Sequence, residues 1–179
     1  MLSQNPHKWN KIIRAFENDQ IEDLLAIQRT GSRGRIFLTL VQDMLNILKI
    51  CFKSEPVFKH KQPDPWYQDF TTRHGLKLRV HEFYNPDFLL EDGTWLEATL
   101  SENTAYKKLF RHGHQAQSLT VIWLDEDMGL HKQVCQGLSF PNALVRSVKH
   151  FYPQLRSDTR GAKIIDNLER LKSLKGIVL

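Results

Sequence analysis

The sequence predicts an α/β fold, a mixed sheet with helices on its faces, and three stretches carry that expectation. Residues 119–124 include Leu119, Val121, Ile122 and Leu124 in a continuous apolar run, as in a strand buried on both faces. Asp92-Gly93, set between Phe88-Leu89-Leu90 and Trp95-Leu96, is the strongest short-range hairpin signal in the chain. Between hairpin and run, Ser101 as N-cap and Gly113 as stop bracket a helix that crosses from one strand to the next. A chain of 179 residues with 41% hydrophobic content can bury one core, so a single domain over 1–179 is expected.

The elements follow in order. Trp9, Ile12, Ile13 and Phe16 keep helical spacing, and Ile21, Leu24, Leu25 and Ile27 continue in a second helical stretch. Thr30-Gly31-Ser32-Arg33-Gly34 breaks the pattern, so residues 1–32 read as a helical arm that docks on the core or reaches a partner subunit. A helix over about residues 36–50 has Phe37, Leu40, Val41, Met44, Leu45 and Leu48 as its apolar side. A loop rich in proline and aromatics spans 56–69, and a strand is expected over about 76–84. The Pro63-Asp64 pair in that loop is followed by Pro65 and by no acid-bearing return strand, which makes it a poor candidate for chemistry. Hairpin, crossover helix and apolar strand then complete a helix-strand-strand-strand-helix-strand core over 33–125. Beyond it, residues 141–151 and 162–174 read as two helices separated by a break at Pro153, a helical extension over 126–179.

The hairpin carries the chemistry. Its two strands bring Asp87 and Glu97 back to nearly the same level of the sheet. Two hard oxygen donors there suit Mg²⁺, which takes few protein ligands, keeps several waters and leaves room for a phosphate.

The run Tyr84-Asn85-Pro86-Asp87-Phe88, continued by Gly93, Trp95 and Glu97, resembles the core of the PD-(D/E)XK nuclease superfamily, in which Pro-Asp and a short hairpin precede an acid, any residue and a lysine. Within that superfamily it is most similar to phage Holliday-junction resolvases and to the end-cutting nuclease subunits of bacterial transposons. The resemblance implies a restriction-endonuclease-like fold with helical N- and C-terminal additions. It also implies hydrolysis of DNA phosphodiesters with Mg²⁺, or Mn²⁺ in vitro, held by Asp87, Glu97 and the backbone carbonyl of Ala98. Resolvases are dimers and transposon nuclease subunits work beside a transposase, so a homodimer or a partner protein is implied as well.

One position departs from the pattern. The family lysine belongs two residues after the acid, where this chain reads Glu97-Ala98-Thr99. A threonine hydroxyl supplies no positive charge to stabilise a pentacovalent phosphate. Lys107 and Lys108, on the crossover helix, are the candidates to replace it. With Ala105, Tyr106, Leu109 and Phe110 as the apolar face, both lysines flank that face about equally; Lys107 is preferred as the catalytic group and Lys108 as a nucleic-acid contact. A lysine moved to the next helix also resembles the cap-snatching endonucleases of segmented RNA viruses, which keeps RNA open as substrate. That reading expects an upstream histidine, for which His60, His74 and His81 are available, none on the early helix. Many members of the superfamily add a third acid from an early helix; Asp43 is the only acid there, with Glu17 and Glu22 weaker. By default Asp43 is a surface acid on an amphipathic helix.

The formal charge of +5 and the pI of about 9.2 favour an anionic partner. Residues 146–175 carry eight basic against three acidic side chains, an excess equal to that of the whole chain. Arg156, Arg160 and Lys163 in this region, with Arg111 after the crossover helix, are the expected phosphate contacts. Their bland alternative is a solvated helical surface. His112 and His114 could assist phosphate or proton transfer, although exposed loop histidines are commoner. Cys51 and Cys135 are too few for a disulfide framework and sit in apolar surroundings that suggest buried thiols; His131 and Cys135 lack a second pair, so no zinc site is read. The expected location is intracellular and cytoplasmic, with no secretory leader and no membrane span. A non-enzymatic alternative shares this fold: an inactive nuclease-like subunit that binds nucleic acid, with Thr99 marking the loss of chemistry.

Overall fold

Ile36, Phe37, Leu40, Val41, Met44 and Leu45 recur every three or four residues and are all buried, which makes one face of helix α1, Ser32–Ile47. The computed structural model describes residues 32–59, 72–73, 83–125 and 141–174. The expected arm over 1–32 lies outside these residues apart from Ser32, as do Glu17, Glu22, His60, His74, His81, Pro63-Asp64, His131, Cys135 and residues 76–82 of the strand expected over 76–84.

Helix α1 stops at Ile47, three residues earlier than its apolar pattern suggests. Ile50 N–H donates to Leu45 O at 2.9 Å and Lys49 N–H to Asn46 O at 3.1 Å, with Lys49 at φ 56°. This is a Schellman cap with lysine at the left-handed position that glycine normally takes. Ile50 packs against the core cluster that contains Leu45, which anchors the cap.

Strand β1 (Phe52–Ser54) follows, then β2 (Phe58–Lys59), β3 (Phe83–Tyr84), β4 (Phe88–Leu90) and β5 (Trp95–Ser101). Between β4 and β5, Gly93 N–H donates to Leu90 O at 3.0 Å, and the Asp92 carboxylate accepts from Thr94 N–H at 2.9 Å. Gly93 has φ 84°, whereas Asp92 is not left-handed. Asp-Gly thus serves here as the end of a three-residue loop rather than as a two-residue turn with both φ values positive. Helix α2 (Glu102–His112) is capped by the Ser101 hydroxyl, which accepts from Thr104 N–H.

Strand β6 (Leu119–Asp125) is buried on both faces. Strand β7 (Ala143–Ser147) comes next, where a helix over 141–151 was expected. β7 completes the sheet as a parallel neighbour of β6, and Asn142 sets its entry by donating from its amide to Gly113 O at 2.9 Å and Ala116 O at 2.8 Å. The ladder it offers to β6 outweighs a local helical pattern in which only short segments are apolar. A 3₁₀ turn, Val148–Phe151, leads to α3 (Tyr152–Leu155), and Pro153 lies in the first turn of α3, where its missing N–H costs nothing. Helix α4 (Thr159–Ser173) begins at Asp158, whose carboxylate accepts from Arg160 N–H at 2.7 Å. Gly161 lies so close to Leu155 that a Cβ there would meet its carbonyl oxygen at 2.1 Å.

The main sheet has the order β1-β4-β5-β6-β7, antiparallel from β1 to β5 and parallel from β5 to β7. The chain is therefore α/β with a mixed five-stranded sheet flanked by helices. β1 lies beside the hairpin, whereas Tyr84, at the end of the strand expected over 76–84, pairs with Phe58 in a separate two-stranded sheet. Period-two alternation splits the core. Phe88, Leu96, Ile122 and Leu124 point to the face covered by α1, α3 and α4. Trp95, Leu119 and Val121 point to the other face, covered by Ala105 and Leu109 of α2 and by Tyr84. Phe58 stacks on Trp95 there, ring centroids 4.5 Å apart. No helix among the described residues is long and apolar enough to cross a membrane.

Cys51, expected to be buried, is exposed: the chain has just left the α1 cap, and the Cys51 carbonyl accepts from Glu91 N–H at 3.1 Å at the sheet edge.

Candidate metal and phosphate site

The β4–β5 register pairs Phe88 with Leu96 and Leu89 with Trp95. One step further along the same ladder, Asp87 faces Glu97. Both lie in the alternation that contains Leu89 and Trp95, on the face of the sheet covered by α2. The three-residue loop that ends at Gly93 thus brings the two acids together on one face.

Lys108 of α2 joins them. Its ammonium lies 2.9 Å from Asp87 Oδ2, 2.5 Å from Glu97 Oε2 and 2.9 Å from the Ala98 carbonyl oxygen. Ala98 N–H also donates to Asp87 Oδ2 at 2.7 Å, which ties the two strands at the level of the acids. The Glu97 side chain is 2% exposed, whereas those of Asp87 and Lys108 are 21% and 25% exposed. The cluster is therefore closed at Glu97 and open to solvent at Asp87 and Lys108.

Burial pushes the Glu97 carboxyl up to about 8, against the opposing pull of the Lys108 charge. For Lys108 burial acts downward, but the Glu97 and Asp87 carboxylates outweigh it and hold the ammonium above its ordinary range. Glu97 Oε1 is buried without a hydrogen bond, 3.3 Å from His112 Nε2. Burial, then the positive charges of Arg111 and Lys108, bring His112 down to about 3, so the imidazole is neutral at neutral pH. Its ring is held edge-on to Tyr84 at 5.7 Å and to Trp95 at 6.0 Å.

Of the two lysines, Lys107, the preferred one, is exposed, and Lys108 is the one brought to the acids. Among the described side chains of α2, the core buries Ala105, Leu109 and His112. Centred on those three, Lys108 lies roughly 65° from the middle of the buried stripe and Lys107 roughly 165° away, at 100° per residue. Taking Ala105, Tyr106, Leu109 and Phe110 as the apolar face instead, without His112, puts its centre about 130° from each lysine, at 100° per residue. His112 is likewise buried rather than a loop histidine; its spacing of four from Lys108 and three from Leu109 is the signal that marks it.

Thr99, two residues after Glu97, is buried on the same strand opposite Trp123. Asp43 is not brought to the acids. It is exposed on α1, across the sheet, beside a groove of about 300 Å³ whose walls include Arg160 and Lys163 of α4. Among the described residues no three His, Cys, Asp or Glu side chains are placed to hold one metal ion, so two carboxylates and the Ala98 carbonyl are the donor set here. These hard oxygens around one cation, with a fourth, Glu97 Oε1, unsatisfied beside them, fit Mg²⁺ or Mn²⁺. Arg111 is exposed in the last turn of α2, on the side of the site. Arg156, Arg160 and Lys163 are exposed on the α3–α4 side, separated from the acids by the sheet, and Arg160 pairs with Asp158 at 3.4 Å.

Comparisons of the chain with protein-family models, with curated proteins and with solved structures give no match.

Proposed function

We propose that this chain is a metal-dependent endonuclease of restriction-endonuclease-like fold that hydrolyses DNA phosphodiester bonds. The observation that carries the reading is the convergence of Asp87 Oδ2, Glu97 Oε2 and the Ala98 carbonyl on one cationic group at 2.5–2.9 Å. These three would hold Mg²⁺ or Mn²⁺. A bound ion supplies Lewis acidity toward a phosphate oxygen and a bound water of lowered pKa.

The protein's own groups do the rest. Asp87 and Lys108 line the open side, from which a phosphate approaches. Lys108, in the role vacated at Thr99, stabilises the charge that develops on phosphorus oxygens as water attacks and the leaving oxygen departs. Neutral His112 covers the inner side of Glu97 without adding charge, and Tyr84 and Trp95 fix the ring. Arg111, beside Lys108, extends the positive surface along which a nucleic-acid backbone lies.

The test is cleavage of supercoiled plasmid, a branched junction and single-stranded RNA with Mg²⁺ or Mn²⁺. Wild type is expected to cut DNA, and Glu97→Ala to lose cleavage by at least ~100-fold, the scale of losing a charge-stabilising group. RNA cut with duplex DNA untouched would move the substrate class to RNA. One observation favours a non-enzymatic subunit instead: Lys108 already satisfies all three oxygens, a self-contained ion cluster. That reading predicts DNA binding with no cleavage, unchanged in Glu97→Ala.

A further inference from the structure

Lys108 occupies the point at which the proposed metal would be held, and it uses all of its donors there. An ammonium has three N–H groups, and the three contacts of Lys108 go to Asp87, Glu97 and the Ala98 carbonyl. The same three oxygens are the metal's donor set. Mg²⁺ binds oxygen at about 2.1 Å, so an ion seated among these atoms would lie almost on top of the ammonium nitrogen. Two cations at that separation repel strongly in a partly buried site.

We infer that Lys108 is a tethered counter-ion that holds the acid pair together and is exchanged for a divalent cation, leaving the cage for the solvent side when that cation enters. The inference rests on the metal site proposed above. Once both are ionised, two carboxylates facing each other across β4 and β5 need a positive charge between them, above all with Glu97 shut off from water. Lys108 provides it from a flexible four-carbon stem, and its side chain retains a solvent-exposed route. Exchange of a singly for a doubly charged cation, with the Glu97 proton released to solvent, neutralises the pair of acids. It also delivers the ammonium to the side where Asp87 is open, the side from which a phosphate approaches. A lysine anchored in the motif strand at position 99 would not need to make this movement; one reaching from α2 does.

The exchange is read by amine labelling of the full chain with an acetylating reagent, quantified by mass spectrometry with EDTA and then with saturating Mn²⁺. Acetylation of Lys108 is expected to be slow in EDTA and to rise roughly tenfold or more with Mn²⁺, the effect of releasing an ion-paired ammonium. Acetylation of Lys107, exposed at the neighbouring position, should stay constant and serves as the internal reference. In parallel, calorimetric Mn²⁺ titration is expected to show Lys108→Met binding the ion roughly tenfold or more tighter than wild type, because one competing charge is gone. If Lys108→Met does not fold without metal, the wild-type labelling decides alone. Mn²⁺ bound by wild type with Lys108 labelling unchanged would overturn the exchange and leave the metal site standing. Binding of Mn²⁺ by neither protein would overturn the exchange together with the metal site.

Discussion

Burial makes Glu97 the residue on which the electrostatics of the site turn. Its carboxyl, ordinarily near 4.5, is raised to about 8, so the folded chain holds a proton there that the unfolded chain has released. The sign follows from linkage. The contribution of Glu97 to stability is fullest below pH 4.5 and is lost as pH rises toward 8, at up to about 1.4 kcal/mol per pH unit. His112, lowered from 6.5 to about 3, acts the other way: its contribution is lost as pH falls from 6.5 toward 3. Between 4.5 and 6.5 the two slopes oppose, and above 6.5 that of Glu97 remains alone. Denaturation in EDTA should therefore show stability falling between pH 6.5 and 8, and the fall should vanish in Glu97→Gln. A fall of equal slope in that variant would show that another group titrates there. Gly93 makes a simpler prediction at the same scale. It has φ 84°, and an added methyl would have no neighbour within 4 Å. Gly93→Ala therefore has only backbone strain to bear, about 1–2 kcal/mol by chemical denaturation, with the hairpin intact.

Elements end where particular residues let them, and two of these endings are testable. Lys49 closes α1 in a left-handed conformation without being glycine, so Lys49→Gly should stabilise the protein by up to about 1 kcal/mol; a loss would mean that the lysine side chain contributes more than its strain costs. Gly161 allows α4 to cross the end of α3 in contact with the Leu155 carbonyl. Gly161→Ala drives a methyl carbon into that backbone oxygen and should cost about 2–3 kcal/mol, although alanine is the better helix former. Element ends also show what is legible in a sequence. The Ser101 cap and the buried β6 run are readable because cap chemistry and unbroken apolarity are local. The stop of α1 is not, because its signal residue is a lysine. Strand β7 is not either, because residues 143–147 are strand only by virtue of pairing with β6, a contact more than twenty residues away in the chain.

Across the whole molecule, the sheet divides the chemistry. One face carries Asp87, Glu97, Lys108 and His112 under α2; the other carries α1 and α4 with Asp43, Arg160 and Lys163 beside one groove. That Asp87 and Glu97 return to nearly the same level is readable from the Asp92-Gly93 signal, but their shared face is not, because it depends on a three-residue loop in place of a two-residue turn, a one-residue change of register. The choice of Lys108 over Lys107, the burial of His112 and the remoteness of Asp43 depend on which face of a helix meets the sheet, which a helical wheel with polar residues in its buried stripe does not reveal. Since the C-terminal basic residues lie across the sheet from the acids, neutralising Arg160 and Lys163 together should flatten the salt dependence of any DNA binding without abolishing cleavage, whereas Arg111→Ala should weaken both. The central claim is that Asp87 and Glu97 form a divalent-cation site. Its most direct test is a Mn²⁺ titration followed by electron paramagnetic resonance. One tightly bound ion per chain in wild type, lost in both Asp87→Asn and Glu97→Gln with the fold retained, is the predicted result; no bound ion in folded wild type, or binding undiminished in both variants, would contradict it.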